Sequence, residues 1–153
     1  MANLFQTGEA WGRISLILMM EPSAPLRDFY RRVFKASNPV LKLLSVPTTL
    51  AAWESLEEMD ADALVVDLEQ PGFDCLKFLR ALRRHPRRRG LPVVFVSDTV
   101  DYRQLRELSS HPLVTLLMKP ARPEDLARAL QSLLRPEMTV EEARLTLVPA
   151  PQG

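Results

Sequence analysis

The sequence is poor in the residues that build disulfides and zinc sites. Cys75 is the single cysteine among 153 residues, so an intramolecular disulfide is excluded and a cysteine-rich metal centre has no ligands. The two histidines, His85 and His111, are too few and too scattered for a zinc site. A reduced compartment is therefore the default expectation.

Long apolar runs and an excess of one charge are also missing. The apolar runs fall far below the ~18 residues that a membrane span needs. Glu9 and Arg13 precede the first of them, so the N-terminus lacks the basic-then-apolar pattern of a signal peptide. The formal net charge of +1 gives no global field that favours nucleic acid or an acidic partner. We expect a cytoplasmic protein with no nucleic-acid and no membrane partner.

What the sequence does contain is a regular alternation of apolar runs with amphipathic segments. Five runs predict strands, beginning at Ile14, Val40, Ala63, Leu91 and Leu113. Short connections between strands and helices imply right-handed crossovers and a parallel sheet with helices on both faces. We predict an α/β fold: a flavodoxin-like, doubly wound three-layer sandwich, with a five-stranded parallel sheet in the order 2-1-3-4-5.

The length suits one domain with a core of its own, flanked by short segments. We predict an N-terminal extension over residues 1–13, the domain over residues 14–134 and a C-terminal tail over residues 135–153. In the tail, Thr139 suits the cap of one or two helical turns, and Pro149 begins an unstructured end. The tail is too short for an output domain, so we expect a stand-alone domain.

Capping residues and apolar spacing define the individual helices. Thr48 or Thr49 suits the cap of the second helix, and Asp74 precedes the third. In the first helix, five apolar side chains recur at helical spacing and are expected to face inward: Leu26, Phe29, Tyr30, Val33 and Phe34.

Four polar residues stand where predicted strands end. Asp67 closes the buried third strand, while Glu21, Ser97 and Lys119 follow the first, fourth and fifth. The carboxyl ends of parallel strands meet at one edge of the sheet, where ligands of such folds collect. We therefore predict that these residues converge, although they come from distant segments.

Three of these strand ends carry motifs that resemble the response-regulator receiver domain. Asp67 followed by Pro71-Gly72 and Asp74 is similar to the phosphoacceptor segment of that family. Val96-Ser97 resembles its strand-four hydroxyl position, and Lys119-Pro120 its strand-five Lys-Pro pair. The resemblance covers roughly residues 14–134.

The resemblance implies a role for each matching residue in two-component phosphorelay signalling. Asp67 would be the phosphoacceptor, Ser97 a hydrogen-bond donor to the phosphoryl group and Lys119 its counter-charge. Mg²⁺ would be the cofactor, held by Glu21 and Asp67. The implied partners are a histidine kinase or phosphotransfer protein and a downstream protein. The family also implies a cis peptide at Lys119-Pro120 and no enzymatic activity.

Several positions depart from the family pattern. The family has two adjacent carboxylates after strand one, and the alignment that keeps helix one in register puts Glu21 and Pro22 there. An ungapped alignment puts Met19 and Met20 there instead. With one charge missing beside a dication, we expect Mg²⁺ to bind weakly or to be lost, and phosphotransfer to be poor.

Further departures lie around the phosphoryl position. The aromatic switch position on strand five falls on Leu116, so we expect a changed readout of phosphorylation. Asp98 and Cys75 stand where the family has small residues.

The residues leave two alternatives open. In the first, Asp67 and Lys119 form a purely structural ion pair and Ser97 caps local backbone, so the chain is a pseudo-receiver, a constitutive interaction module. In the second, the chain is a haloacid-dehalogenase-like phosphatase. That class needs an Asp two residues after the nucleophile, where Glu69 stands, and places the nucleophile on the first strand.

A basic segment follows the third helix and contains Arg83, Arg84, Arg87, Arg88 and Arg89. No aromatic residue is interleaved with these arginines, so we expect a solvated loop rather than a nucleic-acid site. The sequence also allows a homodimer through the fourth and fifth helices.

Overall fold

A computed structural model describes residues 15–37, 41–99, 101–133 and 147–148. Its strands are β1 (Leu16–Met20), β2 (Lys42–Val46), β3 (Ala63–Asp67), β4 (Val93–Ser97), β5 (Val114–Met118) and β6 (Leu147–Val148). Its helices are α1 (Ala24–Ser37), α2 (Thr49–Glu58), α3 (Cys75–Arg84), α4 (Tyr102–Ser109) and α5 (Pro123–Leu133). Among the described residues, no helix has the length and apolarity needed to cross a membrane.

The strands form one parallel sheet in the order β2-β1-β3-β4-β5-β6. The predicted order of the first five strands is therefore confirmed. α1 and α5 cover one face of the sheet, and α2, α3 and α4 cover the other. All residues of β3 and β4 are buried because helices lie on both sides of these central strands. Alternate residues of β3 face opposite layers, with Val65 toward α1 and α5 and Val66 toward α2 and α3.

Helix starts agree with the capping residues in the sequence. The Thr48 hydroxyl accepts a 3.1 Å hydrogen bond from the amide of Ala51 at the start of α2. The Asp74 carboxylate accepts a hydrogen bond of the same length from the amide of Lys77 at the start of α3. Each cap satisfies an amide that has no carbonyl partner within its helix.

The apolar stripe of α1 reaches the core with only part of its length. Phe34 is fully buried, but Leu26 is 40 % and Phe29 is 47 % exposed. The prediction that all five apolar side chains of this helix face the core is therefore wrong for Leu26 and Phe29, in its first turns. That part of α1 lies over the carboxyl edge of the sheet, where its apolar side chains line an open cleft.

A sixth strand extends the sheet beyond the five that the sequence predicts. Leu147 and Val148 pair in parallel with Leu116 and Leu117 of β5. They lie in the predicted C-terminal tail. The helical turns expected after Thr139 and the unstructured end expected from Pro149 fall outside the described residues.

Two of the arginines in and after the end of α3 make contacts within the fold. The Arg83 guanidinium donates to the carbonyls of Leu91 at 2.8 Å and Pro112 at 3.1 Å, fastening the end of α3 to the segments before β4 and β5. Arg88 is 7 % exposed and lies against the ring of His85. The prediction of a solvated loop is therefore wrong for Arg83 and Arg88, because their donors satisfy carbonyl and ring acceptors within the fold.

Candidate functional site

Asp67 stands at the end of β3, where the strand leaves the core, and it is 3 % exposed. Its Oδ2 atom lies 2.6 Å from Nζ of Lys119, which follows β5. Its Oδ1 atom accepts a 2.7 Å hydrogen bond from the amide of Glu69. The carboxylate is thus held from both sides, by an ammonium group and by the backbone of its own loop.

Glu21 is the first residue after β1, and its side chain lies next to that of Asp67. It is 6 % exposed, and its carboxyl group shares a hydrogen bond with the Asp67 carboxylate. Burial, followed by this hydrogen bond and the charge of Asp67, raises the pKa of Glu21 to about 8. Glu21 therefore holds a proton at neutral pH.

Asp67 has the opposite tendency. Burial alone would raise its pKa, but hydrogen bonds from Glu21, Lys119 and the Glu69 amide outweigh burial and hold the pKa below its usual value. The site at neutral pH thus pairs an ionised Asp67 with a protonated Glu21. Of the two neighbouring carboxyl groups, that of Asp67 carries the negative charge.

Ser97 ends β4 and is 3 % exposed. Its hydroxyl lies 3.0 Å from Oε1 of Glu69 and 2.9 Å from the carbonyl of Thr99, and it accepts a 3.2 Å hydrogen bond from the Thr99 amide. The same Oε1 atom of Glu69 accepts a 2.8 Å hydrogen bond from the amide of Asp98. Glu69 thus links Asp67 to the end of β4.

The structure brings together three of the predicted site residues directly and the fourth through an intermediary. Asp67 is hydrogen-bonded to both Glu21 and Lys119, whereas Ser97 is connected to Asp67 through Glu69. Sequence reasoning did not assign a role to Glu69 in this site. Its signal was an acidic side chain two residues after Asp67, in a loop that returns to the sheet edge.

A cleft of about 550 Å³ opens above the Asp67–Lys119 pair, between α1 and the segment from β5 to α5. Apolar side chains form most of its walls, among them Leu26, Phe29, Tyr30, Pro120, Pro123 and Leu126. The polar groups of Glu21, Asp67 and Lys119 lie at its base. The cleft therefore leads from solvent to Asp67 along walls that are mostly apolar.

The donor set for a cation is small. Glu21 and Asp67 offer carboxyl oxygens side by side, which suits the hard oxygen ligation of Mg²⁺, but the two groups share a proton. Within the described residues, no group of three or more His, Cys, Asp or Glu side chains is placed to hold a metal ion. The chemistry of this donor set fits a hard cation, with Glu21 and Asp67 as the residues that would hold it.

The profile of the response regulator receiver domain matches residues 17–131, which is most of the chain and nearly all of the described fold. The chain belongs to the response-regulator receiver family. This receiver domain is accordingly a domain of two-component signalling. Receiver domains typically bind Mg²⁺, and they interact with histidine kinases or phosphotransfer proteins and with downstream partners.

Two curated relatives have an enzymatic activity in their names. The chain is 28 % identical over 136 residues to the cyclic di-GMP phosphodiesterase response regulator RpfG of Xanthomonas campestris pv. campestris, covering 84 % of the chain and 36 % of the relative. It is 32 % identical over 121 residues to protein-glutamate methylesterase/protein-glutamine glutaminase 1 of Cereibacter sphaeroides, covering 76 % of the chain and 31 % of the relative. The chain thus spans about a third of the length of these relatives.

Solved structures agree with the fold. The chemotaxis response regulator CheY4 of Vibrio cholerae aligns with a TM-score of 0.68 at 17 % identity, covering 79 % of this chain and 99 % of that one. A signal receiver domain of a histidine kinase from Syntrophus aciditrophicus aligns with a TM-score of 0.66 at 22 % identity, covering 78 % and 89 %. Both likenesses concern the architecture alone.

Other residues of the receiver pattern also have defined positions. The Lys119–Pro120 peptide bond is cis, as the resemblance implied. Leu116, at the switch position of β5, is 4 % exposed and packs in the layer of α2, α3 and α4. Cys75 is 2 % exposed, and its sulfur lies 3.1 Å from the side-chain amide nitrogen of Gln104.

Proposed function

We propose that this receiver domain is a phosphoacceptor of two-component signalling, modified at Asp67, with inefficient phosphotransfer. The observation that carries the proposal is the 2.6 Å contact between the buried Asp67 carboxylate and the ammonium group of Lys119. A buried carboxylate that stays ionised is a nucleophile, and the adjacent cation can neutralise charge on a transferred phosphoryl group.

In the reaction, an Asp67 oxygen forms the bond to phosphorus while the bond from phosphorus to the donor's histidine nitrogen breaks. The electron pair of the broken bond returns to the imidazole, which then takes up a proton, and an acyl phosphate remains on Asp67. Lys119 follows the charge from the Asp67 carboxylate to the phosphoryl oxygens. Ser97 donates a hydrogen bond to one of those oxygens once its hydroxyl turns from its present acceptors.

Glu21 and Asp67 are the residues that would hold Mg²⁺. When bound, the ion would neutralise charge on the phosphoryl oxygens. Two features of the chain weaken that binding: Pro22 supplies no carboxylate, and Glu21 holds a proton at neutral pH because its pKa is about 8. We attribute the expected inefficiency of phosphotransfer to this missing charge.

Acetyl phosphate with Mg²⁺, followed by intact-mass measurement, tests the proposal. We expect slow formation of an adduct of roughly 80 Da, the mass of one phosphoryl group, on the wild-type chain. Asp67→Ala should abolish the adduct, and Ser97→Ala and Lys119→Ala should reduce it. An adduct that persists in Asp67→Ala would place the modification elsewhere and contradict the proposal.

The second candidate is a pseudo-receiver that is never phosphorylated. This alternative is supported by the hydrogen bonds of the unmodified chain, in which Asp67 and Ser97 already have partners. No adduct under conditions that label an ordinary receiver domain would support this alternative. The affinity for a downstream partner would then be equal for the wild-type chain and Asp67→Asn. If Asp67 is phosphorylated, that affinity should instead change when a phosphodonor is added to the wild-type chain.

We further propose that the chain acts through protein contacts rather than through catalysis of its own. A histidine kinase or phosphotransfer protein would supply the phosphoryl group, and a downstream protein would bind the face from β4 to α5. The phosphodiesterase and methylesterase activities in the names of the relatives belong to those longer proteins, of which this chain spans about a third.

A further inference from the structure

One backbone donor and one side-chain donor at the end of β4 point at the same oxygen atom. The Asp98 amide lies 2.8 Å, and the Ser97 hydroxyl 3.0 Å, from Oε1 of Glu69. The Ser97 hydroxyl has one proton and shares it between Glu69 and the Thr99 carbonyl, whereas the Asp98 amide is directed at Glu69. Hydrogen bonds to an ionised acceptor are stronger than neutral ones, so this pair forms a small anion site.

The loop after β3 delivers Glu69 to that anion site. The Glu69 amide donates to Oδ1 of Asp67 at 2.7 Å, and the Gln70 side chain donates to the Asp67 carbonyl at 2.7 Å. Glu69 therefore contacts Asp67 through its backbone and the end of β4 through its side chain. A phosphoryl group on Asp67 would arrive between these two contacts.

We propose that Glu69 is a built-in anion that occupies the Ser97–Asp98 donor pair, and that phosphorylation of Asp67 has to displace it. The inference rests on the proposed function, since it names the residue that competes with the phosphoryl group. Glu69 positions the donor pair and limits access to it; it does not take part in the transfer.

Two effects of Glu69 oppose phosphorylation. Its carboxylate engages the hydrogen-bond donors that a phosphoryl oxygen would use. Its charge also repels the ~−1.5 to −2 charge that a phosphoryl group brings at neutral pH. The Glu69 side chain is otherwise exposed, so it can move into solvent once a stronger anion takes the donors.

A graded set of variants separates the charge from the contact. Glu69→Gln keeps an acceptor oxygen and removes the charge, and Glu69→Ala removes both. With acetyl phosphate and Mg²⁺, the phosphorylated fraction measured by intact mass should rise several-fold in Glu69→Ala and by less in Glu69→Gln. Glu57→Gln, which neutralises an exposed glutamate of α2, should match the wild-type chain. If the wild-type chain is phosphorylated but neither Glu69 variant has a higher phosphorylated fraction, the inference is overturned and the proposed function still stands.

The amide resonance of Asp98 tests the contact without phosphorylation. In ¹⁵N-labelled, unphosphorylated full chain, we expect the Asp98 amide proton to shift upfield in Glu69→Ala, because it loses a charged acceptor, and to stay in place in Glu57→Gln. An Asp98 amide that does not move in Glu69→Ala overturns the inference. If the Asp98 amide resonance shifts but acetyl phosphate phosphorylates neither the wild-type chain nor any variant, the proposed function fails. The proposed competition between Glu69 and a phosphoryl group then fails with it.

Discussion

The hydroxyl of Tyr30 donates a 2.7 Å hydrogen bond to the backbone carbonyl of Ala121, which fastens α1 to the segment between β5 and α5. Burial, and then the negative charges of Glu21, Asp67 and Asp125, raise the pKa of Tyr30 to about 12. Tyr30 therefore keeps its proton and remains a donor at neutral and moderately alkaline pH. The contact forms one wall of the cleft over Asp67.

Tyr30→Phe should destabilise the domain, because it removes the partly buried hydrogen bond and leaves the Ala121 carbonyl without this donor. We expect a loss of about 1–2 kcal/mol in the free energy of unfolding, measured by urea denaturation. Tyr102→Phe is the matched control, since Tyr102 is 77 % exposed, and it should be neutral. Equal stability of the two variants would show that the Tyr30 hydrogen bond does not stabilise the fold.

Glu21 makes folding depend on pH in a defined direction. Its pKa rises from the usual 4.5 to about 8, so the folded chain binds a proton that the unfolded chain releases between these values. The contribution of Glu21 to stability is complete below pH 4.5 and is lost as the pH rises toward 8. Glu21→Gln should therefore increase the free energy of unfolding at about pH 7.5 by roughly 1–3 kcal/mol and change it little at about pH 5.

Urea denaturation in metal-free buffer at the two pH values measures this effect. The glutamine amide can still donate to Asp67, so the variant removes the titration and keeps the hydrogen bond. Glu54→Gln, on the exposed side of α2, retains Glu21, so its stability relative to wild type should be the same at the two pH values. A Glu21→Gln chain less stable than wild type at the higher pH would mean that Glu21 is ionised in the folded protein.

Asp62 ties down the start of β1. Its Oδ2 atom accepts 2.9 Å hydrogen bonds from the amides of Ser15 and Leu16 and from the Ser15 hydroxyl. Burial alone would raise the pKa of Asp62, but these donors outweigh it and hold the pKa below 3.8. The stabilising contribution is thus present above pH 3.8 and is lost as the pH falls through the folded pKa.

Asp62→Ala should lower the free energy of unfolding by about 1–2 kcal/mol at neutral pH, and the difference from wild type should shrink under acid conditions. Thermal and urea denaturation over a pH series measure both quantities. Asp60→Ala is the control, since Asp60 pairs with Arg87 on the surface and both side chains are exposed. A loss in Asp60→Ala as large as in Asp62→Ala would refute the role of the Asp62 contacts.

Magnesium binding should be weak. With one acidic position replaced by Pro22 and with Glu21 protonated, we expect a dissociation constant above about 1 mM in calorimetric titration. Pro22→Asp restores a carboxylate beside the site and should tighten binding, whereas Asp67→Asn should remove it. Millimolar or tighter affinity in the wild-type chain, lost in Asp67→Asn, would contradict the prediction.

The sequence predicted those parts of the fold that depend on local chemistry. The capping oxygens of Thr48 and Asp74 and the apolar run that ends at Asp67 have near neighbours in the chain as partners, so their roles are visible in short windows. The convergence of Glu21, Asp67 and Lys119 also followed from the sequence, because strand order alone brings those strand ends to one edge.

What the sequence could not provide were outcomes decided by long-range placement. Leu26 and Phe29 have the spacing of core residues, yet the first turns of α1 extend past the edge of the sheet, and spacing carries no information on where a sheet stops. Glu69 lies next to Asp67 in the chain, but its acceptor role depends on Ser97 and Asp98, about thirty residues later. The raised pKa of Glu21 likewise depends on burial that only the assembled site creates.

The pairing of Leu147 and Val148 with β5 changes which backbone the sheet offers to its surroundings. Without them, β5 would present free amide and carbonyl groups along the side of the domain that adjoins α4 and α5. With them, the middle of β5 is already hydrogen-bonded on that side. A partner that adds a strand to β5 must therefore compete with a tethered segment of the same chain, whose effective concentration is high because it is covalently attached. Docking on that side is then better suited to helix surfaces than to strand addition.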